Sequence, residues 1–173
     1  MAQRLFFAIP VSVPKQMALI KHQAHLGNLG HVVPATNFHL TLAFLGNVTQ
    51  SQQQALIERW RDLTVPNLHL TLNRYLHFPK AGVVCLASDQ VPIALMRLAQ
   101  SLRRDAARHG LHSHKAAFRP HVTLYRGVDS VVELPQPEPV TLEINEVQLM
   151  ASQREMGKLT YSPLVRWRSE TTN

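Results

Sequence analysis

Phe38-His39-Leu40-Thr41-Leu42-Ala43-Phe44-Leu45 alternates as a half-buried strand does. Leu40 and Leu42 fall on one face, while His39, Thr41 and Ala43 fall on the other, because successive side chains of a strand point to opposite sides. The apolar face needs a core, so an imidazole and a hydroxyl stand side by side on the remaining face, roughly 6–7 Å apart along the chain. The triplet recurs as His69-Leu70-Thr71-Leu72 and His121-Val122-Thr123-Leu124. With ten His and ten Thr in 173 residues, chance supplies about 0.6 His-x-Thr triplets, so three of them, all with apolar second and fourth residues, form a pattern.

Before this strand, Arg4 to Ile9 reads as another. Ser12 can then cap a helix with Pro14 in its first turn, apolar positions at Met17, Leu19, Ile20, Ala24 and Leu26, and Gly27 and Gly30 at its end. A second helix is expected from about Ser51 to Leu63, capped by Thr49 or Ser51, and Pro66-Asn67 breaks it. Strands follow at Leu68 to Leu76 and Gly82 to Ala87, joined by a turn around Pro79-Lys80-Ala81-Gly82. A third helix runs from about Pro92 to His109, with Leu95, Leu98, Leu102 and Ala106 inward. Arg97, Arg103, Arg104 and Arg108 read as its solvated face, and Gly110 stops it. A strand at His121 to Arg126, a proline-punctuated loop, and closing strands at about Thr141 to Ser152 and Leu159 to Trp167 complete the chain.

Helices alternate with strands early and strands dominate late, so the fold class is α+β or mixed α/β with largely antiparallel pairing, in a single domain over 1–173. Each half runs through a helix ending in glycine and then a strand opening with His-x-Thr: Gly30 precedes His39 as Gly110 precedes His121. This loose duplication predicts two similar lobes facing each other across a cleft.

Lys plus Arg number 18 against 11 Asp plus Glu, for a formal charge of +7 and a pI near 10.2. Such a balance concentrates a polyanion, which makes nucleic acid a plausible partner without establishing it. The hydrophobic content of 45% is ample for a core. One cysteine, Cys85, set in Val83-Val84-Cys85-Leu86, reads as a small buried side chain in a strand. No signal-peptide pattern opens the chain and no apolar run nears a membrane span, so a reducing, cytoplasmic home and no membrane partner are expected.

Two His-x-Thr strands facing one cleft supply two imidazoles and two hydroxyls, an arrangement suited to a phosphodiester. One histidine deprotonates the attacking oxygen, the other, as imidazolium, protonates the departing one, and the threonines hydrogen-bond the non-bridging oxygens. Histidine titrates near neutrality, so both protonation states coexist across a pair. The four-residue motifs alone do not say which two copies form it. Context selects His39 and His121, which occupy matching places in the halves; His69 and Thr71 follow Pro66-Asn67 without a glycine-ended helix and read as an ordinary half-exposed strand face.

Asn37-Phe38-His39-Leu40-Thr41-Leu42-Ala43-Phe44-Leu45-Gly46 together with Arg119-Pro120-His121-Val122-Thr123-Leu124-Tyr125-Arg126 resembles the bacterial 2'-5' RNA ligases. These LigT-type proteins, also described as RNA 2',3'-cyclic phosphodiesterases, belong to the two-histidine phosphoesterase superfamily. Arg4-Leu5-Phe6-Phe7-Ala8-Ile9 is similar to the family's opening strand and Tyr161-Ser162-Pro163-Leu164-Val165-Arg166-Trp167 to its closing one. The resemblance implies a bilobal fold with a pseudo-two-fold axis and helices outside, with a phosphate held between the lobes by His39, Thr41, His121 and Thr123. It implies hydrolysis of an RNA 2',3'-cyclic phosphate to a 2'-phosphate, and reversible 2'-5' joining of tRNA halves, with no nucleotide cofactor; the two-histidine chemistry itself requires no metal, and a monomer is expected. By the same analogy His39 protonates the leaving 3'-oxygen and His121 activates water. Arg126 suits the phosphate or flanking backbone, although alternation places it opposite Thr123 unless a bulge or the strand's end re-aims it. Phe7 and Phe44 are candidates to stack on a base, with core packing as the competing reading.

His109, His112 and His114 carry no carboxylate or thiol companion and read as a polar loop rather than a metal site. No phosphate-cradling glycine loop and no nucleophile elbow around Ser113 or Ser130 is present in the sequence. Two other classes compete: a phosphodiesterase of small cyclic phosphates or nucleotides, and a non-catalytic RNA-binding module. Preference for RNA over a mononucleotide separates the first, and loss of turnover on replacing a histidine separates the second.

Overall fold

The computed structural model describes residues 2–130 and 133–170. Strand β1 (Gln3–Pro10) leads into helix α1 (Val13–Leu26), the short β2 (His31–Val32), β3 (His39–Val48) and α2 (Gln50–Arg59). Next come β4 (Leu68–Leu72), β5 (Arg74–Phe78), β6 (Val83–Ala87) and α3 (Ile93–Arg108), then β7 (His121–Arg126), β8 (Val140–Ile144), β9 (Glu146–Glu155) and β10 (Lys158–Arg168). Thr49 closes a capping box with Gln52 at the start of α2, where a hydroxyl followed three residues later by glutamine satisfies two helix-end amides reciprocally.

Eight strands make one antiparallel sheet, in the order β10-β9-β1-β3-β7-β6-β5 with β2 beside β7, while β4 and β8 form a separate pair. This order is symmetric about the contact between β3 and β7. From the centre outward, β3-β1-β9 on one side matches β7-β6-β5 on the other, with α1 between β1 and β3 as α3 lies between β6 and β7. The halves meet where Leu40 of β3 pairs with Val122 of β7.

Two expected strands are each divided. Leu68 to Leu76 breaks at Asn73, whose N–H donates to the Ala87 carbonyl and whose side chain bonds Asp89, so β4 pairs with β8 while β5 joins the large sheet. Thr141 to Ser152 breaks at Asn145, and β9 crosses to pair with β1. Alternation continues through a residue at which the chain changes sheets, so its period carries no sign of the switch.

Phe7 is fully buried, meeting Trp60 edge-on at 4.5 Å and Trp167 at 5.7 Å. It therefore packs the core and does not serve as a base-stacking platform. The Trp60 indole N–H in turn donates to the buried Asp105 carboxylate at 2.7 Å. Phe7→Ala is expected to cost about 3–5 kcal/mol, because it leaves a cavity between two indoles that cannot collapse; urea unfolding measures it. Among the described residues, no helix is long and apolar enough to cross a membrane.

Candidate active site

The two chemistry-bearing strands meet at their motifs. An antiparallel pair centred on Leu40 and Val122 carries position 39 toward 123 and position 41 toward 121, so the two His-x-Thr faces interleave. Each imidazole is held in the same way. His39 Nδ1 bonds the Asn37 carbonyl at 2.8 Å and His121 Nδ1 bonds the Arg119 carbonyl at 2.7 Å. A carbonyl can only accept, so each Nδ1 carries the hydrogen, and in the neutral ring Nε2 is left as the acceptor. His39 Nε2 lies 2.9 Å from the Thr41 hydroxyl, and the Thr123 hydroxyl lies 3.6 Å from Cys85 Sγ.

Both motif strands carry a bulge at the same place. Opposite β1, Thr41 pairs with Ala8 and Ala43 with Phe7, leaving Leu42 without a partner. Opposite β6, Thr123 pairs with Cys85 and Tyr125 with Val84, leaving Leu124 without one. The extra residue reverses the alternation beyond it. Ala43 and Tyr125 turn fully into the core, while Phe44, half exposed, and Arg126, exposed, come round to the histidine side. Ala43 is thus not on the histidine face that plain alternation assigned to it, and Arg126 is.

A bulge frees a backbone carbonyl that needs a donor, and each is met from the helix of the other half. Arg103 Nε of α3 donates to Leu42 O at 3.0 Å; Gln23 Nε2 of α1 donates to Leu124 O at 2.9 Å and to Val33 O at 3.0 Å. Arg103, expected on a solvated face, instead clamps the β3 bulge and lies over the Phe118 ring. The Tyr125 hydroxyl donates to the Gln23 and Gly27 carbonyls, tying β7 to α1.

The site is electropositive and partly dry. Burial pushes the His39 pKa down to about 4, and the charges of Arg126 and His121 push the same way against the Asn37 carbonyl. Burial also lowers His121, helped by Arg119 and Arg103. The charged groups named beside the rings are cationic, Arg126 and His121 at His39 and Arg119 and Arg103 at His121, so an anion placed between the rings relieves the repulsion and raises both pKa values. His114 falls to about 4 and His22 falls too, burial first in each case, while burial lifts the Cys85 thiol to about 11.

Between pH 6.5 and 4 the unfolded chain binds protons on these histidines that the folded chain does not, so stability falls as the pH drops through that window. Each unit of depression is worth at most about 1.4 kcal/mol, less for rings that keep some solvent. The urea midpoint is expected to fall from pH 6.5 to 4, and millimolar inorganic phosphate to flatten the fall. A midpoint independent of pH would contradict the depressed values.

Sequence reasoning missed several neighbours. Phe6 and Tyr161 each stand 5.0 Å from the His39 ring, and Asn37 also anchors its turn to Leu159 O at 2.9 Å. Phe78 stands 5.6 Å from the His121 ring. Phe6 arrives through its register with Phe44, and Tyr161 and Phe78 come from other strands; none of these registers is revealed by the sequence. Beside His39, away from β7, Pro10, Asn37, Gln148, Met150 and Tyr161 line a small pocket. His69 and Thr71 lie on β4, where Thr71 meets the Thr141 hydroxyl at 3.0 Å, outside the paired motifs. In the 109–114 loop His109 Nδ1 bonds Asp105 O, and His114 Nε2 accepts from Phe44 N–H while its ring stacks on Phe44.

The family model for the 2'-5' RNA ligase superfamily matches residues 10–155. This chain belongs to that superfamily. Among its relatives, the RNA 2',3'-cyclic phosphodiesterase of Escherichia coli (strain K12) is 36% identical over 168 residues, 95% of this chain and 96% of that one. A protein of the same description from Aeropyrum pernix is 27% identical over 83% of this chain and 82% of its own. The crystal structure of E. coli LigT complexed with 3'-AMP superposes with a TM-score of 0.93 at 35% identity, covering 99% of this chain and 100% of that one. The superfamily is the one that the two His-x-Thr stretches resemble.

Proposed function

We propose that this protein hydrolyses RNA 2',3'-cyclic phosphate ends to 2'-phosphates, by acid/base catalysis between His39 and His121. The reading is carried by two imidazoles with identical Nδ1 anchoring on strands that meet at their motifs, and by relatives described as RNA 2',3'-cyclic phosphodiesterases. His121 takes a proton from water as its oxygen bonds to phosphorus; the P–O3' bond breaks and O3' leaves with a proton from His39. Thr41, Thr123 and Arg126 hold the non-bridging oxygens, where fixed donors act on charge as it develops. Phe44 lies at the rim, available to the RNA. No metal or nucleotide cofactor enters this scheme. The RNA, tRNA halves included, approaches a basic monomer in the cytoplasm, and reversible 2'-5' joining is the same chemistry with a ribose 5'-OH in place of water.

End-group analysis tests the leaving oxygen: a 2'-phosphate is expected, and a 3'-phosphate would overturn the assignment. Turnover should persist in excess EDTA. The pH profiles follow from the depressed histidines. In kcat/KM, which reports the free enzyme, both limbs should fall below pH 6.5, whereas in kcat the bound anion shifts them upward. A kcat/KM optimum above pH 8 would contradict this.

A further inference from the structure

Phe78 stands beside His121 as Phe6 stands beside His39, but the two rings differ in what covers them. Phe6 is 4% exposed and is enclosed by His39, Tyr161 and Phe44, so neither of its faces can receive a ligand. Phe78 ends β5, the last strand of the sheet, and is only partly buried. The register puts it on the reactive face. Cys85 pairs with Thr123, whose hydroxyl its Sγ approaches, and Leu76 pairs with Cys85. Leu76 and Phe78 share a face by alternation, and Tyr75 and His77, at the alternate positions, are engaged with His22 and Val128 O.

We propose that Phe78 is the stacking platform for the first base of the RNA strand whose 5'-oxygen enters or leaves at His121. The inference rests on the function proposed above. If His121 serves the entering oxygen, whatever that oxygen carries extends toward Phe78, while the nucleoside bearing the cyclic phosphate lies on the His39 side, where the Asn37–Tyr161 pocket opens. Water carries nothing and makes no use of the ring. A ribose 5'-OH brings a base, and a base can stack on an aromatic face regardless of its sequence. In joining, the 5'-OH gives its proton to His121 and bonds to phosphorus, and O3' departs with the His39 proton, leaving a 2'-5' linkage. In cleavage of that linkage, O3' loses its proton to His39 and attacks phosphorus, and the 5'-oxygen leaves with the proton from His121.

The test compares two substrates on wild type, Phe78→Ala and Phe78→Trp: a mononucleoside 2',3'-cyclic phosphate and a 2'-5'-linked dinucleotide. The ratio of kcat/KM for dinucleotide over cyclic mononucleotide should fall about tenfold or more in Phe78→Ala, the scale of one base–aromatic stack, and return in Phe78→Trp. Equal losses on both substrates would mean that Phe78 only supports the His121 ring, and would overturn the proposal. So would a wild type that hydrolyses the cyclic phosphate but leaves the dinucleotide intact. A wild type inactive on the cyclic phosphate overturns the proposed function itself.

Discussion

His39→Ala and His121→Ala are each expected to lower kcat on an RNA 2',3'-cyclic phosphate by about 10²- to 10⁴-fold, the contribution of one positioned acid or base. The double mutant should lose little more than the worse single one, because two groups that move protons in one step act as a unit. Neither change should unfold the protein. Both rings sit on the sheet's reactive face rather than among the core residues, and below pH 6.5 removing a histidine of lowered pKa removes part of the acid instability. His69→Ala provides the contrast. It carries the same local motif but lies on β4, opposite Glu143, and its turnover should stay close to wild type. Wild-type turnover in both His39→Ala and His121→Ala, measured at saturating substrate, would end the acid/base assignment.

Arg126→Ala is expected to cost about 10²- to 10³-fold in kcat, as removal of a fixed donor to a developing oxyanion does. Arg126→Lys should recover only part, since an ammonium keeps the charge but not the planar fork. The reason lies in the backbone. Arg126 reaches the histidines because Leu124 is bulged, and the bulge persists because Gln23 occupies its carbonyl. Gln23→Ala should therefore lower kcat less in the Arg126→Ala background than in wild type. The chain before β2 also presses on this point: a Cβ on Gly30 would come within 2.6 Å of the Arg126 carbonyl. Additive losses for Gln23→Ala and Arg126→Ala would show that the bulge clamp and the arginine act separately.

The elements and the histidine pair were legible because each depends on local physics. The helices announced themselves through apolar spacing, and α2 also through its Thr49 cap, whereas Ser12 stands at the start of α1 without a side-chain capping bond; the His-x-Thr strands showed through alternation, and their matching places in the chain singled out His39 and His121 from three equivalent motifs. Phe7 and Arg103 were harder. Each is a residue type that suits two environments, and only the packing of Trp60 and the free carbonyl of Leu42 show which one it occupies.

What the amino-acid order determined by itself was the set of faces: which side chains each strand turns to a core, and that two of those strands carry an imidazole and a hydroxyl on the other side. What required the tertiary structure was everything set by strand-to-strand register. Asn73 and Asn145 send the chain to a different sheet, Leu42 and Leu124 slip out of register and bring Phe44 and Arg126 to the site, and Tyr161 and Phe78 arrive from distant strands to flank the two rings. A side chain's face follows from a period of two along its own strand, but its neighbours follow from hydrogen bonds to other strands, and a one-residue slip in those reverses the face of all that follows.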